Sequence, residues 1–241
     1  DRSMPEEINR ILTDAVSDIL LCTEQSGVDN LEREGVAANK VFLVGNLMID
    51  TLMRNRQKAE ESKIISALGL EPRGYAVLTL HRPSNVDDPS AIARLLETII
   101  QIQDQLPIVF PVHPRPRKIL IDSGQADELS KLNGIKLIDP LGYLDFLKLT
   151  SSARVVLTDS GGIQEETTIL QVPCLTLREN TERPTTVENG TSFLVGNDPS
   201  KIMKAFSQVM SGEKRKHQIP PLWDGRAADR IVNILFKSFA H

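Results

Sequence analysis

Cysteine is scarce in this chain, and its scarcity disfavours two kinds of protein. The 241 residues contain two cysteines, Cys22 and Cys174, each inside an apolar run. A disulfide-stabilised secreted domain needs several bridges, and a structural zinc site needs paired Cys or His ligands. The four histidines are scattered along the sequence. We therefore expect reduced core thiols, no bound metal and a cytoplasmic protein.

Other absences narrow the class of protein further. No apolar run approaches the roughly 20 residues of a membrane-spanning helix, and no signal peptide is visible. The formal net charge is -4, which disfavours nucleic acid or an anionic membrane surface as the main partner. Neither a Gly-x-Gly-x-x-Gly motif nor a Walker loop occurs. A dinucleotide dehydrogenase or a P-loop enzyme is therefore disfavoured.

What is present is the composition of an ordinary globular protein. Hydrophobic residues make up 40% of the chain and charged residues 25%. The length is sufficient for one large domain or one and a half. The chain begins at Asp1, without an initiator Met and directly before a segment of helical character. We expect it to be part of a longer protein.

Short apolar runs alternate with amphipathic segments along most of the chain. The N-terminal part predicts a helix that starts at Pro5, and then a βαβ piece with strands at 19–22 and 41–44 around a helix at 26–33. A polar, mostly helical stretch at 47–70 follows.

From residue 75 onward the alternation becomes regular. Strands are predicted at 76–80, 108–112, 135–138, 155–157, 174–177 and 193–195. Helices are predicted at 90–102, 117–123, 143–151, 164–170, 200–210 and 225–239. This pattern is typical of an α/β fold with a doubly wound parallel sheet.

Polar residues follow five consecutive predicted strands. They are His81, His113, Asp139, Ser160 and Arg178. In an open parallel sheet, ligands bind outside the carboxyl ends of the strands. The sequence therefore predicts a binding site at that edge.

The segment 158–166, Thr-Asp-Ser-Gly-Gly-Ile-Gln-Glu-Glu, reads as a strand end, a small-residue turn and a helix start. Ser160, Gly161 and Gly162 would open that helix, where free N–H groups and the positive end of the dipole favour a phosphate. A carboxylate in the first turn, such as Glu166, can accept hydrogen bonds from a ribose. The alternative is a capped turn whose glycines serve only the bend.

Each of the other candidate site residues also has an explanation that involves no ligand. His81 and Arg82 can reach a pyrophosphate, or the histidine can cap loop carbonyls. His113 lies in a stiff Pro-rich turn that is otherwise only a rigid surface loop. The guanidinium of Arg183 can bind a phosphate or hydroxyls, although its loop is also explained as a solvent-exposed run of charged residues. Glu6 at a helix start is explained by the helix dipole alone.

Five segments together resemble one protein family. They are Met4-Pro5-Glu6-Glu7-Ile8-Asn9-Arg10, Leu80-His81-Arg82, Asp139-Pro140-Leu141 through Phe146, the segment 158–166 and Thr181-Glu182-Arg183-Pro184. In this order they resemble the non-hydrolysing UDP-N-acetylglucosamine 2-epimerases over essentially the whole chain. The resemblance implies a glycosyltransferase-B-like architecture, with two Rossmann-like domains and the nucleotide-sugar in the cleft. It also implies interconversion of UDP-GlcNAc and UDP-ManNAc without a cofactor, by a homodimer.

The resemblance implies where UDP is bound. Ser160, Gly161 and Gly162 would hold the diphosphate, and Glu166 the ribose hydroxyls. Arg183 would contact the phosphate or the sugar.

The resemblance also implies the remaining site residues. Leu141 and Phe146 would contact the uracil, His81 would assist the departure of UDP, and Glu6 would be one of the carboxylates near the sugar. The implied reaction is elimination of UDP to give 2-acetamidoglucal, followed by re-addition after C2 is reprotonated from the opposite face.

Much of the family's N-terminal domain has no counterpart in this sequence, and two of the expected catalytic carboxylates belong to that part. We therefore expect residues 1–46 to be the end of a first Rossmann-like domain, 47–74 a connection and 75–223 the UDP-binding Rossmann-like domain. Residues 224–241 are expected to form a helix that packs back on the first domain. We expect this chain alone to bind UDP weakly and to turn over little. The alternatives are a hydrolysing epimerase, a related glycosyltransferase-B transferase or a non-catalytic nucleotide-sugar-binding module.

Overall fold

Two parallel sheets, one of two strands and one of six, organise the chain. The computed structural model describes residues 5–82, 85, 87, 89–122, 124–213 and 217–239. It divides into two compact units, Asp1–Thr51 with Pro220–His241, and Leu52–Ile219. Residues 52–74, which the sequence assigns to a connection, are part of the second unit.

The first unit is built around the two-stranded sheet. Its elements are a helix at Pro5–Val16, β1 at Leu20–Cys22, a helix at Gln25–Arg33, a 3-10 helix at Ala38–Lys40, β2 at Val41–Leu43 and the final helix at Ala227–Phe239. β1 and β2 pair in parallel, with Leu20 opposite Val41. The βαβ piece read from the sequence is thus present, and Leu31 on its helix packs with Leu20 in a small core.

The carboxylate of Asp50 fixes the start of the final helix within the first unit. It accepts the N–H of Ala227 at 3.0 Å and the N–H of Ala228 at 2.7 Å. Free N–H groups at a helix start need such an acceptor. Nearby, the indole N–H of the buried Trp223 donates to the carbonyl of Thr23 at 3.0 Å.

The second unit contains the six-stranded sheet. Its strands are β3 at Ala76–Thr79, β4 at Ile108–Pro111, β5 at Ile135–Ile138, β6 at Val155–Thr158, β7 at Cys174–Thr176 and β8 at Ser192–Leu194. All neighbours pair in parallel, in the order β5-β4-β3-β6-β7-β8. From β3 the strand order proceeds to one edge of the sheet through β4 and β5, and from β6 it proceeds to the other edge through β7 and β8. The strand order therefore reverses between β3 and β6. The predicted α/β fold with a parallel Rossmann-like sheet is confirmed.

The remaining helices of the described residues follow the predicted pattern with three differences. They lie at Leu47–Ala59, Ile64–Ala67, Pro89–Gln103, Pro114–Asp122, Gln125–Ser130, Tyr143–Ser151, Gly161–Leu170, Pro184–Glu188 and Pro199–Met210. The stretch at 47–70 forms two helices separated by a turn. The Ser62 hydroxyl accepts a hydrogen bond from the N–H of Ile64 at the start of the second helix. The short helices Gln125–Ser130 and Pro184–Glu188 were not predicted, since neither is long enough to show helical periodicity.

The continuous apolar pattern of the strands produces the core. Every residue of β3, β4 and β6 is buried. Side chains from the strands and from the helices, such as Leu78, Phe110 and Phe206, belong to one hydrophobic cluster. Strands buried on both faces read as unbroken apolar runs, which is why the sequence predicted them well.

Candidate functional site

A cavity of about 430 Å³ lies at the carboxyl ends of the strands of the second unit. It is lined by Thr79, His81, Pro111, His113, Leu141, Tyr143, Phe146, Ser160 and Ile163. Its size falls in the range of small-molecule sites, and it lies beside the reversal point between β3 and β6, where open α/β sheets bind ligands. Five sequence candidates thus meet in one cavity: His81, His113, Leu141, Phe146 and Ser160.

A buried carboxylate orients the histidine of this cavity. His81 Nδ1 lies 2.7 Å from Asp159 Oδ1, and the Asp159 side chain is fully buried while that of His81 is 48% exposed. β3 and β6 are adjacent strands, and these two residues follow their carboxyl ends. The pairing leaves Nε2 as the histidine nitrogen that a ligand can use.

Asp159 is surrounded by hydrogen-bond donors. Its carboxylate accepts the backbone N–H of His81 at 3.0 Å, that of Arg82 at 2.9 Å, and the side-chain amide of Asn85 at 3.1 Å. Burial raises the pKa of Asp159, but the hydrogen bonds from the His81 side chain and from the two backbone groups outweigh it, so the net pKa is lowered. An ionised carboxylate only accepts hydrogen bonds, so His81 Nδ1 carries the proton between them.

The helix Gly161–Leu170, called the site helix below, presents its N-terminus at the same edge. Ser160 caps it, since its Oγ accepts the N–H of Ile163 at 3.5 Å. The Ser160 N–H donates internally to Thr158 Oγ1 at 3.0 Å. Among the described residues, the N–H groups of Gly161 and Gly162 have no acceptor. They are the free donors of this helix start, which makes them an anion-binding pair.

The space in front of these glycines is open. A Cβ at Gly162 would meet no atom within 4 Å, and one at Gly161 would meet only Glu182 Oε2 at 3.8 Å. Neither glycine has the positive φ that would require glycine. The bend therefore does not explain these glycines, whereas close approach of a ligand to the backbone does.

Two buried glutamates on the site helix differ in their partners. Glu166 accepts a hydrogen bond from the Tyr143 hydroxyl at 3.1 Å. Burial raises the pKa of Glu166, the Tyr143 hydrogen bond opposes the rise, and the charge of Glu165 adds to it. Glu165 instead forms an ion pair with Arg183 Nε.

Gln164 holds the arginine loop against the site helix. Its fully buried side chain accepts the Thr181 hydroxyl at 2.8 Å, and Thr181 Oγ1 in turn accepts the N–H of Arg183 at 3.0 Å. Arg183 is therefore brought to the first turn of the site helix. Arg183 thus lies against the helix that carries Gly161, Gly162 and Glu166, and its ion-pair partner on that helix is Glu165.

A second carboxylate controls the charge at this helix start. Glu182 receives both terminal nitrogens of Arg178 at 2.7 Å, and Arg82 Nη2 lies 3.6 Å from it. The paired hydrogen bonds from Arg178 lower the pKa of Glu182 to about 2. Arg82 Nε is buried without a partner among the described residues. The candidate anion site therefore has three arginines beside it, each facing a carboxylate.

Glu6 is placed differently from the other candidates. It lies exposed in the first turn of the helix Pro5–Val16, in the first unit. It does not line the cavity described above. Its assignment as a catalytic carboxylate stays a prediction.

Sequence reasoning missed four residues of the site: Asp159, Tyr143, Asn85 and Glu182. Asp159 lies inside the segment 158–166 and Glu182 inside the Arg183 motif, so the motifs contained them without revealing their contacts. Asn85 binds both Asp159 and the carbonyl of Leu177, at 3.1 and 3.0 Å. No sequence pattern signals such a long-range contact.

The described residues contain neither a cluster of metal ligands nor a membrane-spanning helix. No three His, Cys, Asp or Glu side chains there group as ligands of one metal ion. None of the described helices has the length and hydropathy that a membrane span requires.

Comparison with known proteins places the chain in a family. The family model for UDP-N-acetylglucosamine 2-epimerase matches residues 1–236. A UDP-N-acetylglucosamine 2-epimerase of Methanocaldococcus jannaschii is 44% identical, covering 98% of this chain and 65% of the relative. A UDP-2,3-diacetamido-2,3-dideoxy-D-glucuronate 2-epimerase of Pseudomonas aeruginosa is 37% identical, covering 97% of this chain and 64% of the relative.

A solved structure supports the same family assignment. The crystal structure of the Methanocaldococcus jannaschii UDP-GlcNAc 2-epimerase in complex with UDP-GlcNAc and UDP matches with a TM-score of 0.88 and 42% identity. The match covers 98% of this chain and 66% of that one. The chain spans about 65% of the length of the curated relatives it matches. The resemblance read from the motifs is confirmed, and the chain belongs to the UDP-N-acetylglucosamine 2-epimerase family.

Proposed function

We propose that the protein carrying this chain is an isomerase that interconverts UDP-GlcNAc and UDP-ManNAc, and that the cavity at the carboxyl edge binds UDP. The observation that carries the proposal is the joint lining of one cavity by His81, Leu141, Phe146 and Ser160. These residues come from three separate segments of the chain. Family membership and the open N-terminus of the site helix support the same conclusion.

The nucleotide has a complementary group for each of its parts. The free N–H groups of Gly161 and Gly162, with the Ser160 hydroxyl, suit the diphosphate. Arg183 adds a guanidinium. To contact the phosphate or the sugar, this group must leave its ion pair with Glu165. These four residues surround one helix start, so the negative charge of UDP meets the helix dipole and a cation together.

The nucleoside end of the ligand has its own partners. Glu166 accepts hydrogen bonds from the ribose hydroxyls. Its carboxylate already accepts a hydrogen bond from the Tyr143 hydroxyl, so it is placed to bind a hydroxyl group. Leu141 and Phe146 supply apolar surface for the uracil ring. His113 and Arg82 are weaker candidates at the same edge.

The chemistry requires a leaving group and two proton transfers. The C1–O bond of the sugar breaks, and its electron pair leaves with UDP while C2 loses a proton to a base. The product, 2-acetamidoglucal, adds UDP again after C2 gains a proton on the opposite face. His81 assists the leaving diphosphate through Nε2, since Asp159 engages its Nδ1. Glu6 is our proposal for one of the carboxylates near the sugar.

Calorimetry with UDP tests the binding half of the proposal. We expect weak, measurable binding to this chain, and a Ser160→Ala, Arg183→Ala double variant should abolish it. A matched control is Lys58→Ala, which removes an exposed cation from the helix Leu47–Ala59. Absence of heat at millimolar UDP with the folded chain would contradict the proposal.

Product analysis tests the reaction. UDP-GlcNAc labelled in the sugar should give UDP-ManNAc with the full-length protein and not with its His81→Ala variant. Release of free N-acetylmannosamine would instead identify a hydrolysing epimerase, and transfer to an acceptor a glycosyltransferase. UDP-2,3-diacetamido-2,3-dideoxy-D-glucuronate is the competing substrate suggested by the Pseudomonas aeruginosa relative. A preference for it in kcat/KM would contradict our choice of substrate.

We further propose that the full-length protein is a homodimer. Light scattering after size-exclusion chromatography measures its mass directly, and a monomeric mass would reject this assembly.

A further inference from the structure

A second cavity, of about 560 Å³, lies within the second unit and shares no residue with the UDP cavity. We call it the amino-edge cavity. It is lined by Arg73, Arg154, Pro173, Thr191, Phe193, Val209, Gly212, Glu213 and His217. Arg154, Pro173 and Thr191 immediately precede β6, β7 and β8. Because the strands are all parallel, these residues lie at the edge of the sheet opposite the UDP cavity.

Two arginines give this cavity its charge. Arg73 Nη1 donates to the carbonyl of Ala153 at 2.7 Å, and Arg154 Nη2 donates to that of Met210 at 3.3 Å. Among the described residues, neither guanidinium forms an ion pair, and Glu213 is the only lining carboxylate. A guanidinium carries five N–H donors, so most of these donors remain for a ligand. This differs from the candidate anion site at the start of the site helix, where Arg82, Arg178 and Arg183 each already face a carboxylate.

A buried hydroxyl without a partner adds a directional group. Thr191 is 4% exposed, and its Oγ1 has no hydrogen-bond partner among the described residues. Buried polar atoms are normally satisfied, so an orphaned hydroxyl in a cavity wall indicates a missing partner. Pro173, Phe193 and Val209 supply apolar wall beside it.

The backbone of Arg73 is held in an unfavourable conformation. Its φ is +62°, in the left-handed region that non-glycine residues rarely occupy, and its N–H donates to the carbonyl of Ser152 at 2.7 Å. Glycine would adopt this conformation without cost. Backbone strain of this kind concentrates at functional sites, and here it accompanies a guanidinium that lines a cavity.

We propose that the amino-edge cavity binds a small organic phosphate monoester with an apolar or aromatic body. The terminal oxygens of a phosphate accept from both guanidiniums and from the Thr191 hydroxyl, while Phe193, Val209 and Pro173 contact the body. The inference concerns a site separate from the UDP cavity and holds whether or not the proposed reaction is correct.

Phenyl phosphate is the probe, and backbone amide shifts of the 15N-labelled chain are the measurement. We expect saturable shifts at Thr191 and Gly212, with Ser160 and Gly161 reporting separately on the UDP cavity. Inorganic phosphate and phenol, the two halves of the probe, should each bind at least about tenfold more weakly, since each lacks one set of contacts. Equal binding by either half would overturn the assigned ligand class.

The Arg73→Gly variant provides the specificity test, because glycine keeps the backbone conformation while removing the guanidinium. We expect its Kd for phenyl phosphate to rise about tenfold, the loss of roughly one charge-assisted hydrogen bond. Arg56→Ala removes an exposed arginine that lines neither cavity and should leave the Kd unchanged. Absence of shifts at Thr191 and Gly212, or an unchanged Kd in folded Arg73→Gly, would overturn the proposal.

Discussion

At the scale of single residues, the site depends on which carboxylate each cation meets. Asp159 is fully buried and accepts from His81, whereas Glu182 is 45% exposed and accepts from Arg178. The first pair fixes the orientation of a ring, and a ligand does not need to break it. The second pair occupies the Arg178 donors, so an anion at the neighbouring helix start could use them only if the pair opened. Similar ion pairs therefore have opposite consequences for function.

Asp159→Asn tests the orienting role. An asparagine can turn its amide toward His81 and reverse which ring nitrogen carries the proton, so we expect turnover by the full-length protein to fall roughly 100-fold. UDP affinity should change much less. The pH profile of kcat/KM should also move, which a purely structural residue would not cause.

The same substitution removes an acceptor from buried donors, so we expect a loss of about 1–3 kcal/mol in the free energy of unfolding. Activity must therefore be compared well below the melting temperature. Asp122→Asn, at an exposed position, is the control. A folded Asp159→Asn variant with normal turnover and an unchanged pH profile would remove Asp159 from the mechanism.

At the scale of elements, the site helix combines two functions that make opposite demands on its sequence. Helix stability favours alanine at its first positions, whereas anion binding requires open backbone N–H groups. Gly161 and Gly162 satisfy the second demand. Gln164 then anchors the loop that carries Arg183, so one helix organises both the donors and the cation.

The Gly162→Ala variant tests helix stability and anion binding separately. Its Cβ would meet no atom within 4 Å, so we expect the free energy of unfolding to rise by about 0.4–1 kcal/mol. The methyl group would occupy the approach of the diphosphate, so UDP should bind about tenfold more weakly through loss of roughly one charge-assisted hydrogen bond. Thermal unfolding and UDP calorimetry measure the two effects.

Gly27→Ala is the matched control for this prediction. Gly27 lies in the helix Gln25–Arg33, and an added Cβ there would be 3.6 Å from Cys22, an ordinary contact. It should affect stability and leave UDP binding unchanged. Unaltered UDP affinity in Gly162→Ala would show that the open space at this helix start is not used.

At the scale of the whole molecule, acid unfolding reports on the ion pairs. The pKa of Glu182 falls from 4.5 to about 2 in the folded chain. A carboxylate whose folded pKa is depressed stabilises the fold above its unfolded pKa, and that contribution disappears as the pH falls through the folded value. Glu182 therefore contributes above pH 4.5 and contributes nothing below about pH 2.

Glu182→Gln should flatten the decline of stability across this pH window. Because Glu182 is partly exposed, solvent screening keeps the effect small. Urea titrations at a series of pH values measure it, with Glu188→Gln, at an exposed position, as the control. If the wild-type chain and Glu182→Gln lose stability in parallel from pH 4.5 to 2, the ion pair with Arg178 contributes nothing to folding.

The sequence by itself determined the strands, the α/β class and the edge of the sheet that carries the candidate site. Buried parallel strands such as Ala76–Thr79 and Val155–Thr158 read as apolar runs, and in a parallel sheet the residues that follow them must share one edge. His81, Ser160 and Phe146 could therefore be grouped in advance. The motif around Gly161 and Gly162 added the hypothesis of an anionic ligand.

Only the tertiary structure decided the pairings on which the chemistry depends. Asp159 meets His81 because β3 and β6 are neighbours, although 78 positions separate the two residues in the chain. Asn85 reaches Leu177 beyond the intervening strand β6, across 92 positions. The sheet order also brought Arg73 and Arg154 to the opposite edge, where no motif marks them. Hydrogen bonds of this kind depend on which strands are adjacent, and local sequence patterns carry no information about that order.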